Sequence, residues 1–257
     1  MAKTVVVTGA SSGIGAAVAA HLAARGDRVV LAARRGDELE RLAAQLGANA
    51  FAVVTDVTVR ADVEHLRDRA VERFGAVDVW INNAGRGLSK LAAEVTDDEL
   101  DQMIAVNVKS ALYGMQAILP HFRARGSGQI INVSSFLSRV PMASIRSAYS
   151  ASKAALNSLT ANLRMDLAAS DPGIHVTLVM PGLVSTEFAQ HAVHGTPPIR
   201  PGAGAPSQTA DEVAAVIVRA IDEPVAEVFT NPALAGISRK YFDDVAAFER
   251  GMRQPPQ

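Results

Sequence analysis

The stretch Ser147-Ala148-Tyr149-Ser150-Ala151-Ser152-Lys153-Ala154-Ala155-Leu156 places a tyrosine and a lysine four residues apart. On a helix, residues i and i+4 share a face, so the phenol and the ammonium point into the same space. A nearby cation favours phenolate over phenol. The pair therefore predicts a Tyr149 pKa lowered towards neutrality and a side chain able both to give and to take a proton. The same spacing also fits an amphipathic helix with an exposed lysine and a half-buried tyrosine, so the chemistry depends on what accompanies the pair.

A second group of residues stands near the N-terminus. Thr4-Val5-Val6-Val7-Thr8 reads as a short buried strand, Gly9-Ala10-Ser11-Ser12-Gly13-Ile14-Gly15 as a turn, and Ala16 to Ala24 as a helical run. Strand, glycine turn and helix form a dinucleotide-binding opening: glycine lets the backbone turn sharply and approach a pyrophosphate, whose charge sits against the free N–H groups of the helix start. The spacing differs from Gly-x-Gly-x-x-Gly, with three residues between Gly9 and Gly13 and one between Gly13 and Gly15.

The elements that must position these groups alternate. Val29 to Ala33, Ala50 to Val54, Val77 to Ile81, Gln129 to Val133 and His175 to Val179 read as buried strands. Helices are predicted near 37–46, 60–74, 97–120 and 148–169, followed by helix 209–221, strand 225–230 and a terminal helix near 238–250. This order predicts an α/β fold, a Rossmann-type doubly wound parallel sheet of about seven strands with helices on both faces. A chain of 257 residues, 49% hydrophobic and 20% charged, is expected to form one domain across 1–257. Between Gly195 and Ser207, four of the twelve prolines and three glycines interrupt all periodicity. The segment from Glu187 to Ser207 is therefore expected to be a substrate lid rather than a linker.

Composition narrows the partners. A net charge of −1 offers no basic surface for nucleic acid, and zero cysteines exclude disulfides and thiolate metal sites. The six histidines include no His-x-x-x-His, which argues against a metal. Thr4 to Ala24 lacks Asp, Glu, Lys and Arg, but Thr8 to Gly13 at its centre is small and polar, so neither a signal peptide nor a membrane span is expected. The expectation is a soluble, cytoplasmic protein acting on small molecules.

Two features bear on the cofactor and the proton path. At the end of the second strand a dinucleotide fold uses an acidic residue to hold the adenosine ribose, and that residue would repel a 2′-phosphate. Here the chain reads Ala32-Ala33-Arg34-Arg35, whose forked donors suit a phosphate, although two arginines there also fit a solvated strand end. Farther along, Leu100, Ile104, Ala111, Met115 and Ile118 form an apolar stripe with Asn107 in its middle. An amide aimed at the core needs partners, either to fix helix packing or to hold water.

Thr8-Gly9-Ala10-Ser11-Ser12-Gly13-Ile14-Gly15, Asn82-Asn83-Ala84-Gly85, Tyr149-x-x-x-Lys153 and Pro181-Gly182 resemble, in order and spacing, the short-chain dehydrogenase/reductase family over nearly the whole chain. The resemblance implies hydride exchange between a nicotinamide cofactor and an alcohol or carbonyl. It implies that Ala33 stands where NAD-preferring relatives usually carry Asp, which favours NADP(H). It further implies a catalytic set of Asn107, Ser135, Tyr149 and Lys153, with Asn107 organising a water that links Lys153 to solvent. Asp56 and Val57 match the adenine-contacting position, Asn83, Ala84 and Gly85 line the cofactor, and Lys153 with Tyr149 approaches its ribose. Pro181, Gly182, Val184 and Thr186 match the segment that meets the nicotinamide amide. Asn82 and Asn83 also fit a bridge between strand ends, and Ser134 and Ser138 are alternatives to Ser135. Ser135 and Tyr149 are fourteen residues apart, one more than is commonest in the family, so an insertion is expected in Phe136 to Ser147.

A catalytically silent NADP(H)-binding sensor or interaction protein is the other reading, against which the intact proton-transfer pair argues. Phe136, Leu137, Met142, Ile145, Leu183 and Phe188 suggest an apolar pocket, with Arg86, Arg139 and Arg146 able to bring charge to its mouth. The helix from Ala148 to Ala169 carries only Lys153, Arg164 and Asp166 as charges, which predicts a homodimer or homotetramer covering its other faces.

Overall fold

Each β-branched run pairs with a run distant in sequence, because a strand followed by a helical crossover can only return parallel to its start. The structure, a computed structural model, describes residues 2–188, 190–195 and 207–253. In chain order they form β1 (Thr4–Thr8), α1 (Gly13–Ala24), β2 (Arg28–Ala33), α2 (Gly36–Leu46), β3 (Ala50–Val54), α3 (Arg60–Phe74) and β4 (Val79–Asn82). Then follow α4 (Asp97–Ile104), a π turn (Ala105–Lys109), α5 (Ser110–Arg125), β5 (Gly128–Val133), α6 (Ser147–Ser170), β6 (Ile174–Met180) and the two-residue strands β7 (Val184–Ser185) and β8 (Gln208–Thr209). The described chain closes with α7 (Ala210–Asp222), β9 (Glu227–Phe229), α8 (Ala233–Asp243) and α9 (Val245–Arg253).

Seven strands form one parallel sheet in the order β3-β2-β1-β4-β5-β6-β9. The order reverses at β1 and β4, the point at which doubly wound folds open a crevice beyond the strand ends. Side chains alternate across the sheet. Val5, Val7, Leu31, Ile81 and Ile131 face a core shared with α1, α2 and α7, while Val6, Val30, Trp80 and Ile130 face one shared with α3, α5 and α6.

Two predicted helices differ, and one strand pair was not expected. The helix expected as continuous from 97 to 120 is interrupted by the π turn and then runs on past Pro120 to Arg125. The terminal helix expected near 238–250 is two helices, because Asp244 is extended (φ −155°, ψ 95°) between α8 and α9. The β7 and β8 pair, with Val184 opposite Gln208, has no period to announce it. Of the expected lid, residues 189 and 196–206 lie outside the described residues. The part that is described docks back on the strand-end loop, since Val193 N donates to Gly87 O at 2.9 Å and Ser89 N to Val193 O at 3.0 Å.

A buried amide network ties α6 to the sheet. Trp80 Nε1 donates to Asn82 Oδ1 at 2.8 Å, Asn82 Nδ2 to Asn132 Oδ1 at 2.8 Å, and Asn132 Nδ2 to Thr160 Oγ1 at 2.9 Å. Asn132→Leu preserves volume but removes one buried partner each from Asn82 Nδ2 and Thr160 Oγ1. It should destabilise the fold by about 1–3 kcal/mol. Urea unfolding of the variant measures this, and a midpoint unchanged from wild type would contradict it.

Candidate active site

The candidate residues gather along the carboxyl ends of the central strands. Gly9 follows β1, Arg34 and Arg35 follow β2, Asp56 and Val57 follow β3, Asn83 to Gly85 follow β4, Ser135 follows β5 and Pro181 to Thr186 follow β6. Gly9 has φ +67°, a left-handed conformation that disfavours other residues. A Cβ on Gly15 would stand 2.3 Å from Gly9 O, so the helix start is packed directly on the turn. Ser12 caps α1 without its hydroxyl accepting a backbone N–H of the helix, and the first turn, which includes Ile14, carries no acidic residue. Those N–H groups are directed at the space above the glycines, and the cradle fits a pyrophosphate. Thr186 closes it from the other side, its Cγ2 3.4 Å from where a Gly13 Cβ would be.

The two arginines take different places. Arg35 Nη2 donates to Ser11 Oγ at 2.9 Å and to Ser12 Oγ at 3.0 Å, directly over the turn. Arg34 faces Asp56. Burial pushes the Asp56 carboxyl up, but bonds from the Thr58 hydroxyl and amide and the charge of Arg34 outweigh it, and the net shift is downward. Val57 packs on the α3 side of the core and Val184 on the α1 side. Pro181 O accepts from Phe136 N at 2.8 Å, and Gly182 sits under Leu234.

Thr8 Oγ1 accepts from Asn83 N at 3.0 Å and Ala84 N at 3.1 Å, while Asn83 Nδ2 donates to Thr8 O at 2.9 Å. Asn82 and Asn83 therefore do bridge strand ends, and the bridge fixes Ala84 and Gly85 against the glycine turn. Next to Gly85 lie Asn107 and Lys153: a Cβ there would be 3.2 Å from Asn107 Oδ1 and 3.4 Å from Lys153 Nζ.

Asn107 sits in the π turn, buried, with both sides of its amide bonded to the protein. Oδ1 accepts from Arg86 N at 2.9 Å, and Nδ2 donates to Arg86 O at 2.9 Å and to Ser152 Oγ at 3.0 Å. Ser152 in turn donates to Tyr149 O at 2.7 Å, so Asn107 anchors the turn of α6 that carries the tyrosine. The stripe expected to frame Asn107 holds at Ala111, Met115 and Ile118 but not at Leu100, which is exposed while Met103 is buried. One extra residue in the π turn rotates the preceding helix by about 100°.

Tyr149 and Lys153 are both buried on the inner face of α6, and the Ser135 hydroxyl lies in hydrogen-bonding reach of the phenol. The expected lowering of the Tyr149 pKa is corrected by the structure. Burial raises it, and the Ser135 bond and the Arg146 charge only partly oppose that. Lys153 Nζ donates instead to Val133 O at 2.8 Å. The phenol is thus held protonated at neutral pH. Ser134 and Ser138 serve other ends: Ser134 Oγ donates to Asn157 Oδ1 at 2.6 Å, Asn157 Nδ2 donates to Ser138 Oγ at 2.7 Å, and Ser138 Oγ donates to Ser135 O. Sequence reasoning missed Ser152 and Asn157. Polar residues at one and four positions from Lys153 on an otherwise apolar helix face were the available signal.

Burial alone brings the Lys153 pKa down from 10.5 to about 8. Because the folded value is the lower one, the unfolded chain holds more protons between those two values. The penalty of burying the ammonium is fully present below the folded pKa and is relieved as pH rises towards the unfolded one. Relative to Lys153→Met, the unfolding free energy of the wild type should rise by about 3 kcal/mol over that interval. Denaturant unfolding of both proteins at its two ends checks this, and parallel pH profiles would contradict it.

A doubly wound sheet with a glycine cradle at its switch point and a Ser-Tyr-Lys group beside it defines a dinucleotide-binding oxidoreductase class. The chain belongs to the short chain dehydrogenase family, whose model matches residues 3–196. An uncharacterized oxidoreductase of Staphylococcus aureus is 43% identical over 185 residues, covering 72% of this chain and 79% of that protein. Among solved structures, a short chain dehydrogenase/reductase of Burkholderia phymatum in complex with NAD is 29% identical with a TM-score of 0.86, over 100% of this chain and 98% of that one. A short-chain dehydrogenase of Sphingobium yanoikuyae in complex with NADPH is 28% identical with a TM-score of 0.80, over 99% and 98%. Among the described residues no helix is long and apolar enough to cross a membrane.

Proposed function

We propose that the protein is a single-domain, cytoplasmic, NADP(H)-dependent oxidoreductase that reduces a ketone or aldehyde to an alcohol, or runs the reverse, with Tyr149 as general acid and base. The observation that carries this reading is the Ser135 hydroxyl beside a buried, protonated Tyr149 phenol, one helical turn from Lys153. When bound, the nicotinamide supplies hydride to the substrate carbon or takes it back. Gly9, Ser11, Ser12, Gly13, Ile14 and Gly15 hold its pyrophosphate, Arg34 and Arg35 its 2′-phosphate, and Asp56 with Val57 its adenine. Asn83, Ala84 and Gly85 line its middle, and Pro181, Gly182, Val184 and Thr186 its nicotinamide end.

The residues divide the proton chemistry. Ser135 donates a hydrogen bond to the carbonyl oxygen, and Tyr149 gives that oxygen its proton as negative charge develops there. Lys153 leaves the Val133 carbonyl to hold the cofactor ribose and brings its charge towards the phenol. The Asn107 side chain is occupied by Arg86 and Ser152, so we assign the water that connects Lys153 to solvent to the main chain of the π turn. The phenol pKa in the working site sets the pH dependence. Reduction needs the phenol and is lost as pH rises through that pKa, whereas oxidation needs the phenolate and is gained there. Initial rates in both directions across pH, followed by NADPH absorbance with a panel of ketones, aldehydes and alcohols, test the assignment. Rates that fall together in both directions would overturn it.

We also propose a dimer or tetramer built on α6. Its Ala151, Ala154, Ser158 and Met165 are exposed, and a groove of about 510 Å³ opens beside the first two, lined by Leu91, Leu137, Ser147 and Ala151. Small residues permit a second helix to approach closely. Light scattering at micromolar concentration should give a dimer or tetramer mass, and a monomer mass that persists with NADPH would refute the interface.

A further inference from the structure

We propose that Glu99 is a positioning residue of the active site: its carboxylate gathers Lys90 and His194, and so clamps the segment after β7 where the Phe188 ring forms one wall of the substrate site beside Tyr149. The wall rests on the carbonyl-reductase reading above, whereas the clamp does not.

A rail and a strap meet at this clamp. The rail is Gly87 to Lys90, which follows the strand-end residues Asn83 to Gly85. The strap is the described chain beyond Thr186: Glu187, Phe188 and residues 190–195. Leu88 pairs with Val193 in a parallel bridge, and the two pack with Met103 and Ala148 in a small core of their own. On its other side the rail holds the start of α6, since Lys90 N donates to Ile145 O at 2.6 Å and Ser147 Oγ to Lys90 O at 2.7 Å. The strap and the helix turn that carries Tyr149 are thus bonded to one short stretch of chain.

Glu99, in the first turn of α4, fixes the far end of the strap. Lys90 Nζ donates to its Oε1 at 3.1 Å and its Oε2 at 3.0 Å, and His194 Nε2 lies 2.5 Å from Oε1. Bonds from Thr96 N, His194 and Lys90 bring the Glu99 carboxyl down to about 2, so it is a carboxylate at any working pH and its hydrogen bonds are charge-assisted. Among the described residues His194 alone, glycines aside, has a left-handed backbone (φ 63°), a conformation that persists where the surroundings enforce it. Ser89 Oγ adds a bond to Gly195 O at the same turn.

Upstream of the clamp, the Phe188 ring stands 5.7 Å from the Tyr149 ring at an interplanar angle of 58°. Phe188 Cε1 and Ala192 Cβ are each 3.2 Å from the point where a Cβ on Gly87 would stand, so the strap lies directly on a rail position that has no side chain. Phe188 is 38% exposed, and packing of the ring alone does not hold it there. Its place follows from the strap, and the strap's place from the rail and Glu99.

Glu99→Gln tests the clamp, because it removes the charge but keeps a side chain able to accept from Thr96 N and so to cap α4. Hydrogen exchange of residues 190–195 should quicken about tenfold or more in this variant and in His194→Asn, whose asparagine tolerates the left-handed turn. Rates are then measured on short aliphatic carbonyls and on aryl ketones. Phe188→Ala should raise kcat/KM for aryl relative to aliphatic carbonyls by about tenfold. Glu99→Gln should shift the ratio the same way, mainly through KM, and the double variant should go no further than Phe188→Ala alone. Melting temperature and NADPH affinity of the same variants separate these shifts from general loosening. Strap exchange as slow in Glu99→Gln as in wild type, a loss equal for all substrates, or additive effects in the double variant overturn the inference and leave the reductase reading standing. If wild type reduces no carbonyl, the wall falls with the reductase reading, and exchange alone decides the clamp.

Discussion

Tyr149→Phe should reduce turnover by about 10²–10⁴-fold while leaving NADPH affinity within a few-fold of wild type. The substitution removes one hydroxyl from a buried ring and keeps the contact with Phe188 at 5.7 Å. What is lost is the only group beside Ser135 that can hand a proton to the substrate oxygen in the proposed mechanism. Steady-state rates on any carbonyl found by screening, together with NADPH titration by fluorescence, measure both halves of the expectation. Retention of most activity would leave the proton-donor assignment untenable. The same variant separates an enzyme from a cofactor sensor, because a sensor's NADP-dependent output would survive it.

Changing the two arginines after β2 should have the next largest effect. The strand ends in Ala33, so that position offers no carboxylate to repel a 2′-phosphate, and Arg35 stands over the glycine turn on Ser11 and Ser12. The charge of Arg34 reaches Asp56, which follows the neighbouring strand β3. An Arg34→Ala, Arg35→Ala double variant removes two charge-assisted donors and should shift the NADPH-over-NADH preference by about a hundredfold. Wild-type preference should also weaken with salt, since exposed charges are screened. Comparable dissociation constants for the two cofactors in wild type, or a double variant with the wild-type ratio, would sink the assignment.

The parallel sheet was legible because buried strands such as Val5 to Val7 and Val29 to Leu31 are continuous apolar runs, and helical patterns separate them. The glycine cradle was legible for a similar reason: Gly9 and Gly15 occupy places where a side chain would collide with backbone. The π turn was not, since a 3.6-residue stripe drawn through Asn107 assumes an unbroken helix, and nothing in Ala105 to Lys109 marks the added residue. The direction of the Tyr149 pKa shift was missed for a different cause. Spacing puts Lys153 on the same face, but only the fold reveals that its ammonium turns to the Val133 carbonyl and that burial dominates both groups. The break at Asp244 and the β7 and β8 pair depend on tertiary contacts that short sequence windows do not carry.

Transfer of deuterium tests the central claim most directly. NADPH deuterated at the transferable position of its nicotinamide is incubated with the protein and each member of a panel of ketones, aldehydes and oxo acids, and the products are examined by mass spectrometry and proton NMR. The account predicts an alcohol carrying a single deuterium on its carbinol carbon, formed by wild type and lost in Tyr149→Phe. NADPH that binds tightly yet passes deuterium to no carbonyl in the panel would contradict it.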